Sequence, residues 1–285
     1  MGNSVRKLTT AFSAAFPEEN ASAPVKEHSK RSLFWGRNTA GWILPVILTA
    51  SWELLARVGL IDVSLFSSPS QIGVELSNLA SNGELLAHLA TTFLRVVSGF
   101  AIGVSAATLL GALTGSSGFA RRLLDPLLQS LRSIPSMAWV PLFLLWLGIG
   151  ESSKIALIAL GVFFPVYLNL MNGVRRTDRK LVEVGLANGF RGFALVKTIV
   201  LPGTLPAYLI GLRQGLSLGW MFVVAAEIMG ASRGLGYLLI DGQATGRPAI
   251  MISSVILFAI CGKLSDGVLA TLSERLLYWQ DVYRT

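Results

Sequence analysis

Six apolar runs limit this chain more than any other feature. They cover about 40–59, 92–114, 134–150, 153–174, 204–230 and 248–271. Several approach the ~20 residues a helix needs to cross ~30 Å of hydrocarbon. The runs are continuous rather than alternating, which predicts helices and not the strands of a barrel. Pro135 and Pro141 interrupt the third run, so a broken or tilted helix is expected there. Charged residues are only 14% of the 285, against ~25% in soluble domains. The expected fold class is all-α: a polytopic membrane protein with about six transmembrane helices.

Basic residues set an expected orientation. With both termini cytoplasmic, the inner segments hold 17 Lys and Arg, and the outer segments 61–91 and 231–247 hold two, Arg233 and Arg247. That asymmetry is the positive-inside pattern. It also accounts for the net charge of +8 without a nucleic-acid partner, and none is expected. Residues 1–38 are polar and are read as a disordered cytoplasmic tail, with no signal peptide and no myristoylation signal. Residues 39–285 are read as the membrane domain. A single cysteine, Cys261, and two distant histidines, His28 and His88, offer no disulfide framework and no metal site.

Small residues recur at every fourth position in two runs. The second holds Gly99, Gly103, Ala107, Gly111 and Gly115, and the fifth holds Gly211, Gly215 and Gly219. Such seams let helix backbones approach closely, within the chain or between chains. The fifth run also carries Arg213, Ser217, Trp220, Val224 and Glu227 on one helical face. Charge inside a membrane marks a pathway or a buried pair. Both readings stand: a translocation surface of Arg213, Ser217, Trp220 and Glu227, or groups held by neighbouring helices. Arg213 and Glu227 are ~21 Å apart along the helix and do not pair with each other. Glu53 with Arg57, and Lys263 with Asp266, are expected as local pairs, and Arg95 is expected to reach the headgroups.

Between the fourth and fifth runs lies "LVEVGLANGFRGFALVKTIVLPGTLP", residues 181–206. Thr177 and Asp178 are possible caps for a short helix over Lys180–Ala187. Asn188-Gly189 signals a turn. A second short helix is expected from Gly192 to Val200, ending near Pro202. Two uses fit: docking to a partner, or lying on the lipid headgroups.

This segment resembles the signature of ABC-importer permeases: Glu-Ala-Ala, three residues, Gly, nine residues, Ile-x-Leu-Pro. Glu183, Gly189, Ile199, Leu201 and Pro202 match at that spacing, while Val184 and Gly185 replace the alanines. "WELLARVG", "SSPS", "IPSMAWVPLFLLWLGIGESSKIALIALGVFFPVYLN" and "GLGYLLI" are similar to the sulfonate, taurine and nitrate group. The C-terminal "GKLSDGVLATLSERLLYW" is most similar to aliphatic-sulfonate permeases.

The resemblance implies the type I ABC-importer permease fold in the bacterial inner membrane. It implies a coupling loop at about 175–203, with Glu183, Gly185, Gly189, Ile199, Leu201 and Pro202 engaging the ATPase. The implied partners are a second permease chain forming a homodimer, a cytoplasmic ABC ATPase dimer, an extracytoplasmic substrate-binding protein and membrane lipid. Taurine, nitrate and bicarbonate are alternative cargoes, and an ion-gradient transporter is the alternative class. No cofactor and no enzyme activity are expected of this chain. "GIGESSK" lacks the Gly-Lys-Ser/Thr ending of a phosphate loop, and "CGKLS" continues with Leu264 and lacks the first glycine.

Overall fold

Two glycine seams organise the protein around one central helix. The computed structural model describes residues 36–279. The expected tail lies mostly outside those residues. Contacts divide the chain into two units, Met1–Thr49 and Ala50–Thr285. Of the first, only the opening part of helix α1 (Gly36–Arg57) is described.

Among its described residues the second unit has helices joined by turns and short loops, and no strand. After the end of α1 come α2 (Pro69–Ser81), α3 (Glu84–Ser116), α4 (Gly118–Ser133), a 3₁₀ turn (Ser136–Ala138), α5 (Trp139–Leu147) and α6 (Glu151–Arg175). Then follow α7 (Arg179–Ala187), α8 (Gly192–Leu195), a π turn (Val196–Val200), α9 (Leu201–Ile228), α10 (Leu235–Ala244) and α11 (Pro248–Leu276). Among the described residues, four helical segments are long and apolar enough to cross a membrane: Glu84–Ser116, Glu151–Arg175, Val196–Ile228 and Pro248–Leu276. They match the second, fourth, fifth and sixth expected runs. The third run does not form one span. Pro135 and Gly148 bracket a 3₁₀ turn and the nine residues of α5, which reach only ~14 Å at ~1.5 Å per residue.

Helix α6 is the centre of the bundle. A Cβ added at Gly99, Gly103, Gly111 or Gly115 of α3 would strike Ile158, Val162, Leu170 or Val174 of α6. Each glycine meets the residue 59 positions further on, so α3 and α6 run parallel in constant register. The seam of α9 meets the other side of the same ridge. Gly211 faces Val166 and Asn169, Gly215 faces Val166 and Val162, and Gly219 faces Val162 and Ile158. Here rising numbers meet falling ones, so α9 is antiparallel to α6.

Ile158, Val162 and Val166 are 0% exposed between the two seams. Their β-branched side chains are already stiff in a helix. They fill the glycine notches at little further entropy cost, which suits a bilayer where dispersion rather than the hydrophobic effect joins helices.

The expected "SSPS" stretch opens α2. Ser68 Oγ accepts from Gln71 N at 3.3 Å, Gln71 Oε1 accepts from Ser68 N at 3.1 Å, and Pro69 takes the first helical position. Glu53 accepts from Arg57 at 2.7 Å, the local pair expected there, and from Ser70 N at 3.0 Å.

Candidate functional site

Two features sit at opposite ends of the bundle, because α6 and α9 join them in antiparallel fashion. At one end, the loop from α6 to α9 forms a helical hairpin. Asp178 caps α7, its carboxylate accepting from Lys180 N at 2.8 Å. The helix stops at Gly189, which has φ +85°. Gly189 N donates to Leu186 O and Phe190 N donates to Gly185 O, each at 3.0 Å. That pair of bonds is a Schellman cap, which needs a left-handed residue where glycine sits.

The motif residues pack on one another. Gly185 is buried, and a Cβ there would collide with the side chains of Ile199 and Leu195. The departure from alanine at this position therefore brings the arms close. A Cβ at Gly189 would meet nothing within 4 Å, so conformation alone demands the glycine. The carboxylate of Glu183 is exposed and accepts from Arg179 at 3.1 Å. Leu181, Val184, Leu186, Val196 and Leu201 are also exposed, leaving an apolar surface across both arms.

The second arm does not end at Pro202 as expected. Val196–Val200 forms a π turn that runs straight into α9. Proline lacks an N–H and crowds the preceding turn. The wider π turn opens the ladder where Pro202 enters, so the helix continues.

At the other end lies a buried ion cluster that the sequence reading missed. Arg95 is 4% exposed and does not reach outward. It donates to both carboxylate oxygens of Glu151 at 2.6 Å, to Glu227 Oε1 at 2.7 Å, and to the carbonyl of Arg233 at 2.6 Å. Thr92 Oγ1 donates to Glu227 at 2.8 Å and accepts from Leu235 N at 2.8 Å. Gly236 N donates to Glu227 Oε2 at 2.7 Å, and Gly234 N donates to His88 Nδ1 at 3.0 Å.

The opening N–H groups of α10 thus meet acceptors from α3 and α9. A helix N-terminus carries partial positive charge and suits this carboxylate. Gly234 and Gly236 of the "GLGYLLI" stretch have no room for a side chain, since a Cβ at either would strike Glu227. The only sequence signal for this cluster was charge within apolar helices.

The polar stripe expected on α9 divides. Arg213 and Ser217 are exposed, while Trp220 and Glu227 are buried. Trp220 Nε1 donates to Ser265 of α11 at 2.8 Å, and Ser217 Oγ donates to the Arg213 carbonyl at 3.1 Å. Along this face α11 meets Arg213 and Trp220, and the start of α10 closes over Glu227. Asp266 does not pair with Lys263. Arg213 takes it instead through two bonds of 2.9 Å, Nε to Oδ1 and a terminal nitrogen to Oδ2.

Arg213, Ser217 and Asp266 line a groove of about 630 Å³ with Pro165, Ile210 and Leu218. A second cavity of about 520 Å³ shares Pro165, Gln214 and Leu218 with it and extends past Phe164, Met221 and Phe222. Among the described residues, no group of three or more His, Cys, Asp or Glu could hold a metal ion.

A profile of the family described as "Binding-protein-dependent transport system inner membrane component" matches residues 87–278, which include both ends of this arrangement. The chain belongs to this family. The family is one of multi-pass inner-membrane permeases of ABC importers.

Two relatives bear the name "Putative aliphatic sulfonates transport permease protein SsuC". That of Bacillus subtilis is 36% identical over 94% of this chain and 96% of its own. That of Escherichia coli is 40% identical over 87% and 95%. The taurine transport system permease protein TauC of Escherichia coli is 32% identical over 83% of this chain and 87% of its own. Among solved structures, the fold is similar to a chain of the MetNI methionine ABC transporter in an inward-facing conformation. The TM-score is 0.55 at 21% identity, covering 68% of this chain and 94% of that one.

Proposed function

We propose that this permease chain forms the membrane channel of an ATP-driven importer of aliphatic sulfonates. The identity to two relatives named for aliphatic sulfonates, over nearly their whole length, carries this reading. A second copy of the chain completes the channel as a homodimer. A separate ATPase dimer hydrolyses ATP in the cytoplasm, and an extracytoplasmic binding protein delivers the substrate. Residues 39–285 form the membrane domain, residues 1–38 a cytoplasmic tail, and both termini lie inside.

The hairpin supports the coupling role. Glu183 and the apolar side chains around it are exposed on a two-armed helical element. Gly185 and Ile199 hold the arms together, Gly189 turns the corner, and Leu201 and Pro202 join the hairpin to α9 without a break. A push on the hairpin is therefore transmitted along α9. The ATPase favours one of two channel states by binding the hairpin differently in each, which is the requirement for alternating access. Arg213 and Ser217 face the translocation pathway. Trp220 and Glu227 serve it from behind, by fixing α9 against α11 and α3.

The test is uptake of pentane-1-sulfonate by cells that express the chain with its ATPase and binding protein. Uptake that requires all three supports the reading. Uptake by this chain alone would favour an ion-driven carrier.

A further inference from the structure

We propose that the groove beside Arg213 is a binding site for an amphiphilic organic anion, and that Asp266 occupies the arginine until the anion arrives. The idea rests on the transport reading above and adds the substrate contact within the membrane.

Arg213 stands midway along the apolar segment Val196–Ile228. A charge at that depth is costly and is kept where it meets a ligand or a partner. The two membrane arginines differ in what they do. Arg95 is sealed, with its side chain 4% exposed, whereas the Arg213 side chain is 44% exposed and that of Asp266 27%. The Arg213–Asp266 pair is therefore open to the groove.

Asp266 has a second cation in reach. Lys263 lies three residues earlier on α11 and has no ion pair within 4.0 Å among the described residues.

An anionic head can replace the carboxylate on the same planar guanidinium fork. Asp266 then turns to Lys263, three residues away on its own helix, and no charge is left bare. The number of ion pairs is conserved, so entry and release need no large electrostatic penalty.

The rest of the groove selects the tail. Pro165, Ile210 and Leu218 lead from Arg213 to Phe164, Met221 and Phe222. The amides of Asn169 and Gln214, between the two halves, bond each other at 2.9 Å. One charged end and one apolar wall fit a molecule with an acidic head and a short alkyl chain. Arg57, held by Glu53 and not among the residues that line the groove, serves as a control.

The experiment uses the full-length chain in lipid nanodiscs, with equilibrium dialysis of radiolabelled pentane-1-sulfonate. Wild type binds it saturably, and nitrate competes far less well. Arg213→Gln weakens binding by ~10-fold or more, the worth of a lost charge-assisted pair. Asp266→Asn tightens binding several-fold, because the internal competitor is gone. Arg57→Gln leaves it unchanged.

A purely structural pair predicts that Asp266→Asn weakens binding or does nothing, and either result overturns the site. Equal competition by nitrate overturns the amphiphile class. Loss of the homodimer in Arg213→Gln shows instead that the groove is an interface between copies. Importer-dependent uptake by cells with no effect of Arg213→Gln on binding sinks this site alone. Absence of both uptake and binding in wild type sinks the transport reading with it.

Discussion

The guanidinium of Arg95 meets the carboxylate of Glu227 at 2.7 Å, across 132 residues of sequence, with both side chains buried. Glu151 completes the arginine from the start of α6, and the first N–H groups of α10 close over the glutamate. Four helices therefore share one electrostatic knot at a single end of the bundle. Replacing Arg95 by leucine leaves Glu227 charged and unpaired, at a cost of about 3–5 kcal/mol. Arg95→Leu should lower the melting temperature of the detergent-purified protein sharply. Adding Glu227→Leu should recover part of the loss. Arg179→Ala, at an exposed pair, should leave it unchanged. Equal melting of Arg95→Leu and Arg179→Ala would falsify the anchoring role.

The seam on α3 predicts a graded response to size. A Cβ at Gly103 would sit 2.5 Å from the carbonyl oxygen of Ala159, which is backbone and cannot rotate away. Gly103→Val should force α3 from α6 and abolish a monodisperse gel-filtration peak. Gly73 has open space around it, so Gly73→Ala should fold as wild type. A normal peak for Gly103→Val would mean that the two helices do not pack as described.

Gly189 and Gly185 should fail for different reasons. Gly189→Leu has room within the chain but strains a φ of +85°, at roughly 1 kcal/mol or more. The protein should insert and pair, lose ATPase co-purification, and lose uptake. Gly185→Leu should disturb the hairpin itself by displacing Ile199 and Leu195. Limited proteolysis of membranes should cleave the hairpin faster in Gly185→Leu. Glu183→Ala should weaken ATPase recruitment more mildly than Gly189→Leu, with no change in melting temperature. Full uptake with Gly189→Leu would return the hairpin to a headgroup-lying loop.

Orientation is checked with reporter fusions. Those at residues 80 and 240 should read as external, and those at 125 and 190 as cytoplasmic. An external reading at 190 would place the hairpin beyond the reach of a cytoplasmic ATPase.

Local chemistry was legible in the sequence. Four of the apolar runs are long helices, because continuous apolar length and backbone self-satisfaction are properties of a segment alone. The same holds for the turn at Asn188-Gly189 and the cap at Asp178, which are set by neighbours within a few residues. Four-residue glycine spacing identified two packing faces. It did not identify their common partner, since periodicity gives a face and not what lies opposite it.

Only the tertiary structure decided the fate of the charges. Arg95 found Glu151 and Glu227 at separations of 56 and 132 residues, and Asp266 chose Arg213, 53 residues away, over Lys263 on its own helix. In a low-dielectric interior a charge must be paired wherever a partner arrives. Which partner arrives is set by the register of Gly99, Gly103, Gly211 and Gly215 on the Ile158–Val166 ridge, and that register exists only once the helices have packed.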